Sequence, residues 1–462
     1  MGNTHKNERT NVSPRGGISR SSEETSVIEA EPRADINQRC LMSQPTGKEL
    51  NSHQKSFVIP KELIWNAYKR VRDNHGAHGV DKMSLRQLER NLPRHLYKLW
   101  NRMSSGSYHP SPVRLVEIPK KDGKLRPLGI PTVLDRVAQT AVKIILEEKL
   151  EKVFHPDSFG YRPGKSSHQA IAKTRQRSWN YDWVVDLDIQ SFFDNLNHEL
   201  LMKAVKVHSD SKWINLYIQR WLKAPLEKQD GTLKIRDKGT PQGGSISPLL
   251  ANLFLHYAFD LWMVRKYPQC PFERYADDMV VHCKTQDQAY RMKEAIESRL
   301  RECCLTLHPV KTRIVYCKDS NRRDKHIHHS FDFQGYTFKP RGAINPRGQC
   351  FISFLPGVSR ASLKHMREQI RVWKLHRRSS ESLSELSENI NPVVRGWVNY
   401  YGRYYRSSLY IIVNALDERI VKWTMRKLRM PRGAAWRRVK SIREQQPNLF
   451  AHWIFRQGQA TG

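Results

Sequence analysis

Hydrophobic and polar positions divide the chain into regions with different periodicities. Residues 1–55 are rich in Ser, Thr, Asn, Glu and Arg, have few aromatic residues, and read as a disordered or adaptable arm. From Phe57 to about Arg177 helical spacing dominates. Val133, Leu134, Val137, Ala138, Ala141, Val142, Ile145 and Leu146 recur on one face of a helix that should end before Phe154 and Pro156. That stripe is core. Within the same region Val113-Arg-Leu-Val-Glu-Ile118 is strand-like, and Gly123 marks the turn of a hairpin with a basic tip, Lys120-Lys-Asp-Gly-Lys.

From Asn180 to about Pro340 short strands alternate with helices such as the one around Leu249–Val264. In Trp183-Val-Val-Asp-Leu-Asp-Ile-Gln-Ser-Phe-Phe-Asp194, Asp186 and Asp188 alternate with Val185, Leu187 and Ile189, so both carboxylates share one strand face. In Phe272-Glu-Arg-Tyr-Ala-Asp-Asp-Met-Val-Val-His-Cys283, Asp277 and Asp278 fall between two apolar runs, where the chain must reverse. The last part of the chain is expected to be helical. Ile412, Leu416, Ile420 and Trp423 form one face, and Arg419, Lys422, Arg426 and Arg429 lie beside it, so one helix can pack and bind phosphate together.

Carboxylates on one strand face repel unless a cation or base sits between them. Two divalent ions roughly 4 Å apart, activating an attacking oxygen and neutralising a leaving one, give a chemical reason to tolerate that repulsion. Magnesium suits oxygen ligands of this kind. The sequence therefore holds ligands for a nucleotidyl-transfer site.

Tyr275-Ala-Asp-Asp278, the Asp188–Asp194 segment and Gly239-Thr-Pro-Gln-Gly-Gly-Ser-Ile-Ser-Pro248 resemble successive blocks of a reverse transcriptase. Further blocks stand in order at Ile118–Pro131, Phe159-Gly-Tyr-Arg-Pro-Gly164, Leu305-Thr-Leu-His-Pro-Val-Lys-Thr312 and Phe333-Gln-Gly-Tyr-Thr-Phe338. Asn391-Pro-Val-Val-Arg-Gly-Trp-Val-Asn-Tyr-Tyr401 resembles the maturase segment of group II intron-encoded reverse transcriptases.

The resemblance implies an α+β right-hand polymerase. Fingers and the start of a palm would span 56–180. A palm with an antiparallel sheet backed by helices would span 181–345, and an α-helical thumb and maturase domain 346–462. It implies that Asp188, Asp277 and Asp278 bind two magnesium ions, with Asp186 a less strict match. Lys120, Arg126, Phe193 and Gln242 would contact the incoming deoxynucleoside triphosphate. Phe193 would act as a wall against a 2′-hydroxyl, although an ordinary core phenylalanine is the competing reading. Gly243, Gly244 and Tyr275 would lie against primer and template, glycine permitting close backbone approach. Lys311 would protonate departing pyrophosphate.

Charge agrees with a nucleic-acid partner. The chain has 79 Lys plus Arg against 45 Asp plus Glu, a formal net charge of +34. Residues 1–55 are nearly balanced, with 8 basic and 7 acidic, whereas 355–462 carry 21 against 7. In the latter, Arg395, Trp397, Tyr400, Tyr401, Arg403, Arg406, Lys422 and Arg426 mix aromatic and basic side chains, a combination that stacks on bases and neutralises backbone. Helix packing is the competing explanation for the aromatics. Seven cysteines without paired zinc-like spacing point to a reduced, cytoplasmic setting, the bacterial cytosol or nucleoid. His326-Ile-His-His329 lacks a matching second ligand pair, and no run approaches a membrane span.

These readings imply an RNA-directed DNA polymerase encoded by a group II intron. It would copy intron RNA during retrohoming and bind that RNA to assist splicing, with a DNA target and primer as further partners. The chain stops soon after Trp453 without candidate Cys pairs, so a type lacking the HNH endonuclease domain is expected. The source of the DNA primer is then open, a nascent strand at a replication fork being one candidate. The alternative is a defence-associated or retron-type reverse transcriptase without maturase function. A maturase that has lost polymerase use is disfavoured by the intact carboxylates.

Overall fold

The computed structural model describes residues 56–119 and 125–457. The 1–55 arm and Lys120 lie outside the described residues. Helices Lys61–Asp73 and Leu92–Ser104 precede a hairpin of β1 (Val113–Pro119) and β2 (Leu125–Ile130), antiparallel from Arg114 opposite Ile130 to Pro119 opposite Leu125. The Val133–Leu150 helix starts where Thr132 accepts a hydrogen bond from the Asp135 backbone N–H. Its expected stripe is largely buried, but so are Asp135, Arg136 and Gln139 on the other side, so the helix is enclosed rather than amphipathic. Asp135 tolerates this because Tyr108 donates to it at 2.5 Å and Thr132 at 2.7 Å.

The alternating acidic segment is β3 (Trp183–Asp188). Two short strands, β4 (Leu226–Glu227) and β5 (Leu233–Lys234), widen the first hairpin into a sheet ordered β2-β1-β4-β5. β6 (Phe272–Tyr275), β7 (Asp278–Cys283) and β8 (Arg313–Tyr316) join β3 in a wholly antiparallel sheet ordered β6-β7-β3-β8. Val185 and Leu187 bury one face of β3, and Val184 buries the root of the face that carries Asp186 and Asp188. His326 packs edge-on against Trp183 and Tyr316, ring centroids 4.5 Å away in both cases. The helix expected around Leu249–Val264 runs from Ser247 to Lys266 and contains a π-helical turn at His256–Asp260.

A third sheet, ordered β11-β10-β9, contains β9 (Phe331–Phe333), β10 (Tyr336–Ile344) and β11 (Cys350–Val358). The hairpin β10–β11 straddles the 345/346 boundary, so the segment from 346 is not helical until Arg360. Pro340 is accommodated inside β10 because β9 pairs only with Tyr336–Phe338, leaving Pro340 beyond its reach.

Helices Arg360–Val372, Leu383–Tyr401, Tyr410–Lys427, Arg432–Gln445 and Ala451–Gln457 enclose a second core that includes Leu386, Ile390, Leu416, Ile420 and Trp453. Ser382 and Glu385 form a capping box at the start of the second of these helices. Asn391 ties that helix to the end of the chain, donating to the Leu449 carbonyl at 2.9 Å and accepting from the Ala451 N–H at 2.9 Å. Asp417 does the same from its neighbour. It is fully buried, accepts from Trp453 at 2.8 Å and His452 at 3.1 Å, and lies 3.0 Å from Arg456. No described helix is long and apolar enough to cross a membrane. The described cysteines are free.

Candidate active site

Strand register brings the acidic segments together. Asp188 stands opposite Asp278 at the end of the β3–β7 pairing, and Asp278 is also the partner of Tyr275 across the β6–β7 hairpin. Ala276 and Asp277 form its two-residue turn, Ala276 at the left-handed φ of 58°. A Cβ at Gly160 would lie 2.4 Å from the Ala276 nitrogen, so only glycine lets the Phe159–Gly160 segment approach so closely.

Arg274 holds the hairpin from beneath. It is fully buried, makes a bidentate pair with Asp260 at 2.7 and 2.6 Å, and donates to Asn252 at 2.9 Å and to the Ala276 carbonyl at 3.0 Å. The π-helical turn supplies Asp260. Beside it, buried Glu273 accepts from Arg177, from Thr174 at 3.2 Å and from His282 at 2.7 Å. Sequence reading missed this support, because charged residues beside an acidic turn look like surface chemistry.

The carboxylates sit in a cleft of about 1100 Å³ that Lys311, Arg313, Arg341 and Arg360 also line. Burial raises the Asp277 carboxyl above its ordinary value, and nearby Asp188 adds to the rise. Burial pushes Asp278 up to about 7, and Asp277 and Asp188 reinforce the shift against a hydrogen bond from Gln334. Asp186 is raised strongly by burial and then by Asp278. Lys311 pairs with Asp188 at 2.9 Å. The connection carrying it is anchored by the His308 N–H on the Asp188 carbonyl at 2.7 Å and by an Ile189–Leu307 bridge. Gln334 donates to Asp278 at 3.0 Å. Among the described residues no three His, Cys, Asp or Glu side chains stand arranged to hold a metal ion. Lys311 and Gln334 occupy oxygens of Asp188 and Asp278 instead. The donor set itself is all oxygen, crowded and positively rimmed, which suits a hard divalent cation.

Arg126 and Gln242, separated by 116 positions, meet in a 2.5 Å hydrogen bond. A Cβ at Gly243 would lie 2.2 Å from the Gly129 carbonyl oxygen, and one at Gly244 would lie 2.6 Å from the Ser247 hydroxyl. The close approach these glycines permit is thus already made by the protein's own chain. Phe193 is 7% exposed, packed edge-on against Phe192 with ring centroids 5.5 Å apart.

The C-terminal residues divide into two groups. Arg395, Arg403, Lys422 and Arg426 are exposed, although Arg426 also donates to the His376 carbonyl at 3.3 Å. The others are engaged within the protein. Trp397 stacks on Trp373 at 5.5 Å, and Arg406 donates to the Phe455 carbonyl at 2.8 Å while lying over its ring. Tyr400 stacks on His168 at 4.9 Å, and Tyr401 donates to Ser362 at 3.0 Å. Packing therefore accounts for the places of Trp397, Tyr400 and Tyr401.

Residues 118–338 match the family model for reverse transcriptase (RNA-dependent DNA polymerase), and 363–442 match the group II intron maturase-specific domain. The chain is 34% identical to protein YkfC of Escherichia coli over 312 residues, covering 57% of this chain and 79% of that protein. It is 30% identical over 305 residues to the group II intron-encoded protein LtrA of Lactococcus lactis, covering 63% of this chain and 49% of LtrA. A putative COX1/OXI3 intron 1 protein of Saccharomyces cerevisiae is 28% identical over 227 residues, or 49% of this chain and 27% of that one. The chain thus spans about half of LtrA and less of the yeast protein. With both domains present in order, it belongs to the group II intron-encoded reverse transcriptases that carry a maturase domain.

Proposed function

We propose that the protein copies the RNA of a group II intron into DNA during retrohoming and binds that RNA to assist its splicing. The observation that carries this reading is the register pairing of Asp188 with Asp278, with Asp277 in the adjoining turn, inside a cleft rimmed by Lys and Arg. In this reading residues 56–180 are fingers and the start of the palm, the sheet β6-β7-β3-β8 is the palm floor, and the helices from Arg360 are thumb and maturase domain. Asp188, Asp277 and Asp278 would hold magnesium once Lys311 releases Asp188. When bound, magnesium supplies charge neutralisation for the attacking and leaving oxygens of phosphoryl transfer.

The chain's own residues do the rest. Arg126, fixed by Gln242, offers a planar fork of donors to a triphosphate, and Lys120, outside the described residues, would add a point charge. Phe193 closes the floor below the sugar, and Gly243 and Gly244 keep their loop low enough for a base pair to pass. Lys311, released from Asp188, is placed to give a proton to pyrophosphate. Tyr275 borders the primer terminus. Intron RNA would meet the exposed Arg395, Arg403, Lys422 and Arg426, while Trp397, Tyr400, Tyr401 and Arg406 shape the surface beneath.

Replacing Asp277 and Asp278 with Ala is expected to abolish magnesium-dependent cDNA synthesis on an RNA template and leave protein-assisted splicing largely intact. Equal collapse of both activities in a folded variant would refute this division of labour. A gene with no intron RNA in its flanking DNA would favour the defence or retron reading instead.

A further inference from the structure

Gln334 sits where few residues of its kind sit. It and Gly335 form the two-residue turn between β9 and β10, with φ of 50° and 78°. A pair of left-handed residues is the signature of a tight hairpin turn, in which Asn or Gly is the ordinary first residue. Gln gains no such local relief, so its contacts must offset the strain.

Those contacts run in two directions. On one side the Gln334 amide donates to the Asp278 carboxylate at 3.0 Å. On the other, the Tyr400 hydroxyl donates to the Gln334 carbonyl at 2.9 Å. The Gly335 carbonyl accepts from the Ser359 N–H at 3.0 Å and from the Ser362 hydroxyl at 3.1 Å. Tyr400 is itself held, stacked on His168, whose ring nitrogen meets the Tyr400 carbonyl at 2.8 Å. A turn two residues long thus bridges a carboxylate of the reaction centre to two helices of the C-terminal part, through one hydrogen bond from Tyr400 and two onto the Gly335 carbonyl.

We infer that Gln334 is a positioning residue for the Asp278 carboxylate, and that Tyr400, within the maturase segment, fixes where Gln334 stands. This rests on the polymerase reading of the carboxylates and adds to it a coupling between the RNA-holding helices and the reaction centre. Gln334 keeps an acid aimed into the cleft and leaves that acid's orientation dependent on how the C-terminal helices are seated. Partners of this kind are worth a factor of about 10 to 100 in metal affinity or activity.

Three variants test this in the full-length protein. Gln334→Met keeps length and removes the amide; Gln334→Asn favours the turn but shortens the reach by one methylene; Tyr400→Phe removes one hydroxyl and keeps the ring stack. Both Gln334 variants are expected to raise the magnesium concentration for half-maximal cDNA synthesis on the order of tenfold, lowering kcat more than they raise the KM for nucleotide. They should also weaken Mn2+ binding to the free protein, followed by the electron paramagnetic resonance signal of the unbound ion. Melting temperature and intron-RNA affinity should stay near wild type. Tyr400→Phe should shift the metal dependence in the same direction by less, and add nothing in the Gln334→Met background, because it acts through Gln334. Wild-type metal dependence in both Gln334 variants, or a full additive loss in the double variant, would overturn the inference. A wild-type protein without RNA-directed DNA synthesis overturns the polymerase reading instead, and the Mn2+ measurement on free protein still decides the role of Gln334.

Discussion

Arg274 carries a charge that never meets water, and the cost of burying it is offset only while Asp260, Asn252 and the Ala276 carbonyl all accept from it. Arg274→Ala would strand Asp260 as a bare buried carboxylate and free the turn that holds Asp277. It should destabilise the protein by about 3–5 kcal/mol in denaturant unfolding and lower cDNA synthesis in whatever remains folded. Phe193 poses a different question, because being 7% exposed suits both a core residue and a wall beneath a sugar. Phe193→Val should admit ribonucleotides more readily in primer extension; unchanged sugar selectivity would leave it as core alone. Asp188, Asp277 and Asp278 were legible in the sequence because strand alternation and a turn fix acids locally. Gln334 was legible only as part of a motif, since its partner Asp278 lies 56 positions away and no period announces it. The tyrosines at 400 and 401 were ambiguous for the same reason: Tyr400 meets His168 across 232 positions.

Among the elements, those with strong periodicity were read correctly and those with mixed signals were not. The Val133–Leu150 helix and the Tyr410–Lys427 helix follow their apolar spacing. The β10–β11 hairpin was missed because Pro340, Gly342, Pro356 and Gly357 imitate loop composition, and only the short reach of β9 makes a proline in β10 harmless. The Ala451–Gln457 helix carries a pH response. Burial alone would raise Asp417, but hydrogen bonds from His452 and Trp453 and the charge of Arg456 hold it below its ordinary value. Burial lowers His452. In both cases the unfolded chain takes up protons more readily, so stability falls with acidification. The His452 contribution declines below about pH 6.5, and that of Asp417 follows below about pH 4. Thermal melts of wild type and His452→Gln should therefore diverge in slope between about pH 7 and 5, the variant being flatter. Parallel slopes would show that His452 does not titrate with folding.

At the scale of the whole molecule, a formal charge of +34 makes association with RNA a matter of counterion release. The structure sharpens where that charge acts, since Arg406 is engaged with Phe455 while Lys422 and Arg426 remain exposed. Replacing Lys422 and Arg426 with Gln should weaken intron-RNA binding and lower the slope of log affinity against log salt by about 0.7–0.9 for each phosphate no longer neutralised. An unchanged slope would move the RNA path elsewhere. The β11-β10-β9 sheet and the C-terminal part meet through Tyr336, Tyr400, Tyr401 and Tyr404, a cluster of rings 4.8 to 5.6 Å apart.

The Asn391 and Asp417 ties set a practical limit on dissection. The maturase match ends at residue 442, which invites a clone that stops there. Such a fragment would begin life missing Leu449, Ala451, His452, Trp453 and Arg456, the groups that answer both side chains. A domain cut by homology would thus be cut through its own keystone, and its failure to bind RNA would say nothing about the intact enzyme.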